Sequence, residues 1–223
     1  MLNIAHRGAS AYKPENTLAS FQKAIDLNVD MIEFDIRLSK DKKIVVIHDE
    51  TVDRTTNGRG KVRNKDLEQL KLLNAGDGES IPTLEEVLTL IGGRCLINIE
   101  IAERGIAKRL VEALQPFYYM WDSIVISSFS FKELKIFYYY MPTMKVSYLS
   151  EGLTVRNMKE ISQLPIYSLN LSKDLLKEDL VEWLHSMGFK VFAFTVNTEK
   201  GLKQMRNLNV DGIFTDSPDI FHR

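Results

Sequence analysis

The chain has 223 residues, a formal net charge of −1, 44% hydrophobic and 26% charged residues, and a single cysteine. That size suits one large domain or two small ones, and α/β barrels commonly fill it as one unit. Near-neutral charge argues against a polyanionic partner such as nucleic acid, and lone Cys95 excludes an internal disulfide and a thiolate-rich zinc site.

The chain enters a strand at 2–6 almost at once, without the segments of a signal peptide. No stretch reaches the ~18 continuous apolar residues of a transmembrane helix, so a soluble, cytoplasmic protein is expected. The stretch 17–27 spaces Leu18, Phe21, Ala24 and Ile25 as a helix, capped by Asn16 or Thr17. Strands follow at 31–36 and 44–48, separated by too few residues for a crossover helix. Segment 50–82 is turn-rich around Thr55-Thr56-Asn57-Gly58-Arg59-Gly60, with a short helix within 66–73, and reads as an excursion rather than a separate domain. Thr83 with Glu86 three positions on is a capping box for a helix at 83–91. Strands at 95–101, 123–128, 144–149, 166–171, 189–195 and 211–215 then alternate with helices at 105–116, 130–140, 155–163, 176–187 and 198–207. Apolar residues at nearly every strand position suggest a parallel sheet covered by helices. The expected architecture is a (β/α)8 TIM-type barrel, with nine strand candidates for eight places.

The chemistry-bearing residues sit at strand ends, where barrel sites form. His6 and Arg7 close the first strand, His48 the third, and Glu100 stands near the end of the fourth. Glu33 and Asp35, two apart, project to one side of the second strand, and Phe34 to the other. Carboxylates converging in a low-dielectric interior repel strongly, and a divalent cation relieves that cost. Oxygen-only ligands favour Mg²⁺, Ca²⁺ or Mn²⁺ over zinc. His6 and His48 suit general acid–base work, Arg7 can fork onto phosphate oxygens, and Gly8 permits close backbone approach.

These residues resemble the glycerophosphodiester phosphodiesterase family. The resemblance is carried in order by His6-Arg7-Gly8-Ala9-Ser10, Pro14-Glu15-Asn16-Thr17, Glu33-Phe34-Asp35, His48-Asp49, Arg54-Thr55-Thr56, Ile81-Pro82-Thr83-Leu84, Asn98-Ile99-Glu100, Ser128-Phe129, Thr195-Val196-Asn197 and Asp211-Gly212-Ile213-Phe214-Thr215-Asp216. It runs from residue 3 to 218. It implies a TIM-type barrel forming one domain over 1–223, with a small insertion after the His48 strand at about 50–82. It also implies hydrolysis of small glycerophosphodiesters to sn-glycerol 3-phosphate and an alcohol. Carried over by position, His6 and His48 are the acid–base pair and Arg7 is a phosphate ligand. Glu33, Asp35 and Glu100 hold Mg²⁺ or Ca²⁺, and Phe129 and Phe194 line the substrate pocket.

Three positions depart from the family pattern. Ala102 stands where a lysine is usual near the phosphate, with Arg104 a candidate substitute. Phe194 replaces a tryptophan, and Asn28-Val29 replaces a glycine before Asp30. Ala102 keeps open a catalytically weak binding homologue. The aromatic runs Phe117–Trp121 and Phe137–Tyr140 keep open a lysophospholipase D-like enzyme with an acyl groove. The head group and oligomeric state stay open.

Overall fold

The computed structural model describes residues 1–222. The chain begins with β1 (Leu2–His6), α1 (Leu18–Asp26), β2 (Met31–Leu38), β3 (Ile44–Val46), α2 (Leu67–Lys71) and α3 (Leu84–Ile91). It continues through β4 (Leu96–Ile101), α4 (Ala107–Leu114), β5 (Ile124–Ser128), α5 (Phe131–Tyr140), β6 (Lys145–Ser150) and α6 (Val155–Ile161). It ends with β7 (Ile166–Ser172), α7 (Glu178–Ser186), β8 (Lys190–Phe194), α8 (Glu199–Asn207) and β9 (Gly212–Thr215).

Eight strands pair in parallel in the order β1-β9-β8-β7-β6-β5-β4-β2, and β1 also pairs with β2, which closes the barrel. The surplus strand is β3. It lies antiparallel to the upper half of β2, with Val46 opposite Ile36 and Ile44 opposite Leu38. A connection this short can reverse the chain but cannot cross over it.

Outward residues such as Ile32, Phe34, Ile36, Ile99 and Ile126 join the helices in the main core. The barrel interior is less uniformly apolar than the sequence suggests. An inner cluster of Ile4, Met31, Val125, Phe192 and Phe214 shares it with buried Asn98, Ser127, Ser147, Ser168 and Asn170. Ser147 donates to Ser168 at 2.7 Å and Ser168 donates to Asn170, so these three satisfy one another, whereas the side chains of Asn98 and Ser127 make no hydrogen bond among the described residues.

Thr17 caps α1, its hydroxyl accepting from Ser20 N. The expected capping box opens α3, where Thr83 Oγ1 accepts from Glu86 N and Thr83 N donates to Glu86 Oε2. Asn28 takes the left-handed turn after α1, with φ of 52°. Residues between β3 and α3 build a small core from Ile47, Val52, Val62, Leu70 and Ile81 around Val45 of β3. That core fixes the segment against β3 beside the barrel mouth.

Candidate active site

Strand alternation places the acids. Phe34 points outward onto Phe21 of α1, with ring centroids 5.6 Å apart, so Glu33 and Asp35 face the interior. Parallel pairing sets Asp35 beside Glu100 and Glu33 beside Asn98. One carboxylate oxygen from each of Glu33, Asp35 and Glu100 lies within 4.8 Å of the others. Glu33 Oε2 accepts from Arg7 N at 2.9 Å, but Glu33 Oε1 is buried without a hydrogen-bond partner. Asn16, at φ of 57°, donates to Asp35 Oδ2 at 2.9 Å and fixes that carboxylate.

Burial, reinforced by the charges of Asp35 and Glu100, pushes the Glu33 carboxyl well above the ordinary range. Burial and Asp35 push Glu100 up to about 8. A site that disfavours three negative charges, and leaves an oxygen unpartnered at its centre, fits a hard divalent cation.

His6 Nδ1 is 2.7 Å from Asp216 Oδ1, and His48 Nδ1 is 2.6 Å from Asp49 Oδ1. A carboxylate only accepts, so in each neutral ring the proton sits on Nδ1 and Nε2 is left for chemistry. Partial burial pulls Asp216 upward, but hydrogen bonds from His6, Asn197 and Ser10 hold it below the usual carboxylate range.

The route by which His48 arrives differs from the sequence reading. It does not end a barrel strand: β3 stops at Val46, and Ile47 N donates to Asp35 O at 3.0 Å. Because β3 runs back down along β2, it lowers His48 to the level of the acids. Arg37 Nε donates to the His48 carbonyl at 2.7 Å and anchors that turn.

Arg7 adopts φ of 57°, and its guanidinium donates to Glu15 Oε1 at 2.9 Å. Its Nε stands 3.4 Å from Asp35 Oδ2, in ion-pair range but outside hydrogen-bond geometry. Gly8, at φ of 81°, lies so close to α1 that a Cβ would sit 2.7 Å from the Ser20 carbonyl carbon. Arg54 donates to both Glu15 and Asp49, and these bonds hold Asp49 far below the ordinary carboxylate range.

His6, Arg7, Glu33, His48, Glu100, Phe129 and Phe194 line one cavity of about 210 Å³ with Leu149, Glu151, Thr195 and Phe214, and Asp35 joins it through the acid cluster. All eight residues singled out from the sequence therefore meet. Arg104, the candidate substitute for the lysine replaced by Ala102, is exposed and lies outside that lining. The two aromatic runs lie outside it as well: Phe117 and Phe137 are buried in the core, while Tyr118, Tyr119, Tyr139 and Tyr140 are exposed. The sequence reading quoted Glu15, Asn16, Asp49, Arg54, Asn197 and Asp216 within the motifs of the resemblance but gave none of them a part in the chemistry, Asn16 being offered only as a helix cap.

Residues 6–220 match the sequence profile of the Glycerophosphoryl diester phosphodiesterase family. A glycerophosphodiester phosphodiesterase of Caldanaerobacter subterraneus is 40% identical over 231 residues, covering 98% of this chain and 95% of its own. Among solved structures, an Oleispira antarctica phosphodiesterase in complex with the product sn-glycerol 3-phosphate superposes with TM-score 0.91 at 28% identity, covering 98% of this chain and 94% of the other. The Thermotoga maritima glycerophosphodiester phosphodiesterase gives TM-score 0.84 at 30% identity, covering 100% and 97%.

Proposed function

Because this chain belongs to the glycerophosphoryl diester phosphodiesterase family, we propose that its cavity cleaves a glycerophosphodiester to sn-glycerol 3-phosphate and an alcohol by two-histidine acid–base chemistry. The observation that carries this reading is the convergence of two carboxylate-backed imidazoles, Arg7 and a three-acid cluster on one cavity. No helix among the described residues is long and apolar enough to cross a membrane.

Glu33, Asp35 and Glu100 would hold a divalent cation, Mg²⁺ or Ca²⁺ with Mn²⁺ also suited to an oxygen-only set. When bound, such a cation supplies Lewis-acid neutralisation of negative charge on substrate oxygens. Arg7 contributes a fixed guanidinium, held by Glu15 from behind, to the phosphate oxygens. One histidine takes the proton of the attacking hydroxyl, and the other returns a proton to the departing alkoxide. The attacking hydroxyl belongs to water or to the neighbouring glycerol carbon. The second route passes through a cyclic phosphate that rapid-quench sampling detects.

The test is a panel of glycerophosphodiesters assayed after chelation and again after adding Mg²⁺, Ca²⁺ or Mn²⁺. Cation-dependent release of sn-glycerol 3-phosphate is the expected result. Undiminished turnover in chelator, or none with any cation, overturns the reading.

A further inference from the structure

We propose that this cavity selects diesters whose departing alcohol carries a positive charge, a primary or quaternary amine, and that Glu151 is the residue that selects them. The inference rests on the hydrolase reading above and adds the substrate class.

The cavity has a deep end and a rim. Glu33 and Asp35 are 2% and 1% exposed, whereas Phe129 is 47% exposed and Glu151, following β6, is exposed. The glycerol phosphate is common to every substrate of the reaction and belongs at the acids, Arg7 and the histidines. The variable alcohol therefore meets the rim.

Most carboxylates near the cavity already have work. Glu33, Asp35 and Glu100 form the acid cluster, and Glu15 is held by Arg7 and Arg54. Asp216 and Asp49 back the two histidines. Glu151 lines the cavity, yet among the described residues no hydrogen bond or ion pair engages it. An unpaired carboxylate facing substrate biases binding by charge, favouring a cation and disfavouring an anion.

The neighbouring wall suits the same ligand. Phe129 and Phe194 pack edge to face, with centroids 6.1 Å apart and planes at 80°, and both line the cavity beside Leu149. Ring faces are electronegative, and aromatic surface combined with a carboxylate is a recurrent way to hold an alkylammonium group. Uncharged polyols gain little from such a wall. A long acyl chain needs more apolar volume than about 210 Å³ provides.

The experiment compares kcat/KM for glycerophosphocholine and glycerophosphoethanolamine with that for glycerophosphoglycerol and glycerophosphoinositol, in the wild-type chain and in Glu151→Gln and Glu151→Lys. Wild type is expected to favour the cationic pair roughly fivefold to thirtyfold, in line with a partly desolvated cation–aromatic contact assisted by charge. Glu151→Gln should shrink that ratio towards one, and Glu151→Lys should reverse it. Equal rates on all four diesters in wild type, or a preference that survives Glu151→Gln, overturn the inference and leave the hydrolase reading standing. Failure to cleave any of the four with a divalent cation present overturns both.

Discussion

Glu15 and Arg54 are joined by two hydrogen bonds of 2.7 and 2.8 Å across 39 residues of sequence. The same guanidinium reaches Asp49, the partner of His48, while Glu15 also holds Arg7. One side chain from the segment after β3 thus braces His48 and Arg7 together, each through its own carboxylate. Arg54→Ala is expected to lower kcat at least about tenfold by releasing both carboxylates. Its stability cost should stay below about 1 kcal/mol, because Arg54 is 48% exposed and solvent screens the pairs. Arg54→Lys should recover little, since a single ammonium cannot fork onto two carboxylates. Steady-state kinetics beside thermal melts check this; a normal kcat in Arg54→Ala removes the brace from the mechanism.

The carboxylates behind the two imidazoles give a second expectation. Asp216→Asn and Asp49→Asn keep shape but let the amide donate, which favours the wrong ring tautomer. Each should depress kcat by about tenfold to a hundredfold with KM less affected, and His6→Ala or His48→Ala should depress it by about a hundredfold or more. Kinetics on one glycerophosphodiester separate the cases. If the asparagine variants match wild type, ring orientation does not depend on these partners.

How much of this was legible in the sequence follows from the range of each interaction. All nine strands show as apolar runs, and Glu33 with Asp35 shows as a two-residue spacing on one strand. Which strand falls outside the barrel does not show. Ile44-Val45-Val46 is as apolar as the wall strands because it is buried between β2 and the small core of Val52, Val62, Leu70 and Ile81. The brace is invisible for a related reason. Asp216 lies 210 residues from His6 and Arg54 lies 39 from Glu15, so only the closed barrel makes them neighbours. The polar layer of Asn98, Ser147, Ser168 and Asn170 likewise reads as ordinary strand until the sheet closes.

The acid cluster links stability to pH and to cation. Burial raises the folded Glu33 and Glu100 carboxyls above their unfolded values, Glu100 to about 8. The native state therefore holds protons that the unfolded chain releases. Their contribution to stability is complete below about pH 4.5 and is lost as pH rises towards about 8. In chelator, Tm should fall across that window. A divalent cation replaces the missing protons, so adding Mg²⁺ or Ca²⁺ should raise Tm more at pH 8 than at pH 5. Calorimetry at both pH values decides it, and equal increments would place the bound cation elsewhere.

Glu133 offers a test of the scaffold away from the chemistry. It is buried on α5, and its carboxylate accepts from Gly105 N at 3.0 Å and Ala107 N at 3.1 Å. It thereby caps α4, whose own N-cap residue Ile106 has no side chain to do so. Glu133→Ala should cost about 1–3 kcal/mol by orphaning the buried Ala107 N–H and leaving that of exposed Gly105 to solvent. Denaturant titration should show the loss while KM stays unchanged.

Ala102 yields the last prediction. Ile101 joins the outer core, so strand alternation turns residue 102 to the same side as Glu100. Arg7 is the only lysine or arginine among the described residues lining the cavity, and Arg104 lies outside it. Ala102 is only half-buried just past the end of β4, so a longer lysine side chain there has room to extend towards the proposed phosphate position. A charge-assisted bond to phosphate exceeds about 1.5 kcal/mol, so Ala102→Lys should raise kcat/KM about tenfold or more. If the gain lies in kcat, the added charge acts on the transition state; if it lies in KM, it only tightens substrate binding. An unchanged or lower kcat/KM would mean that Arg7 and the bound cation already neutralise the phosphate, and that Ala102 reflects a site adapted to work without the lysine.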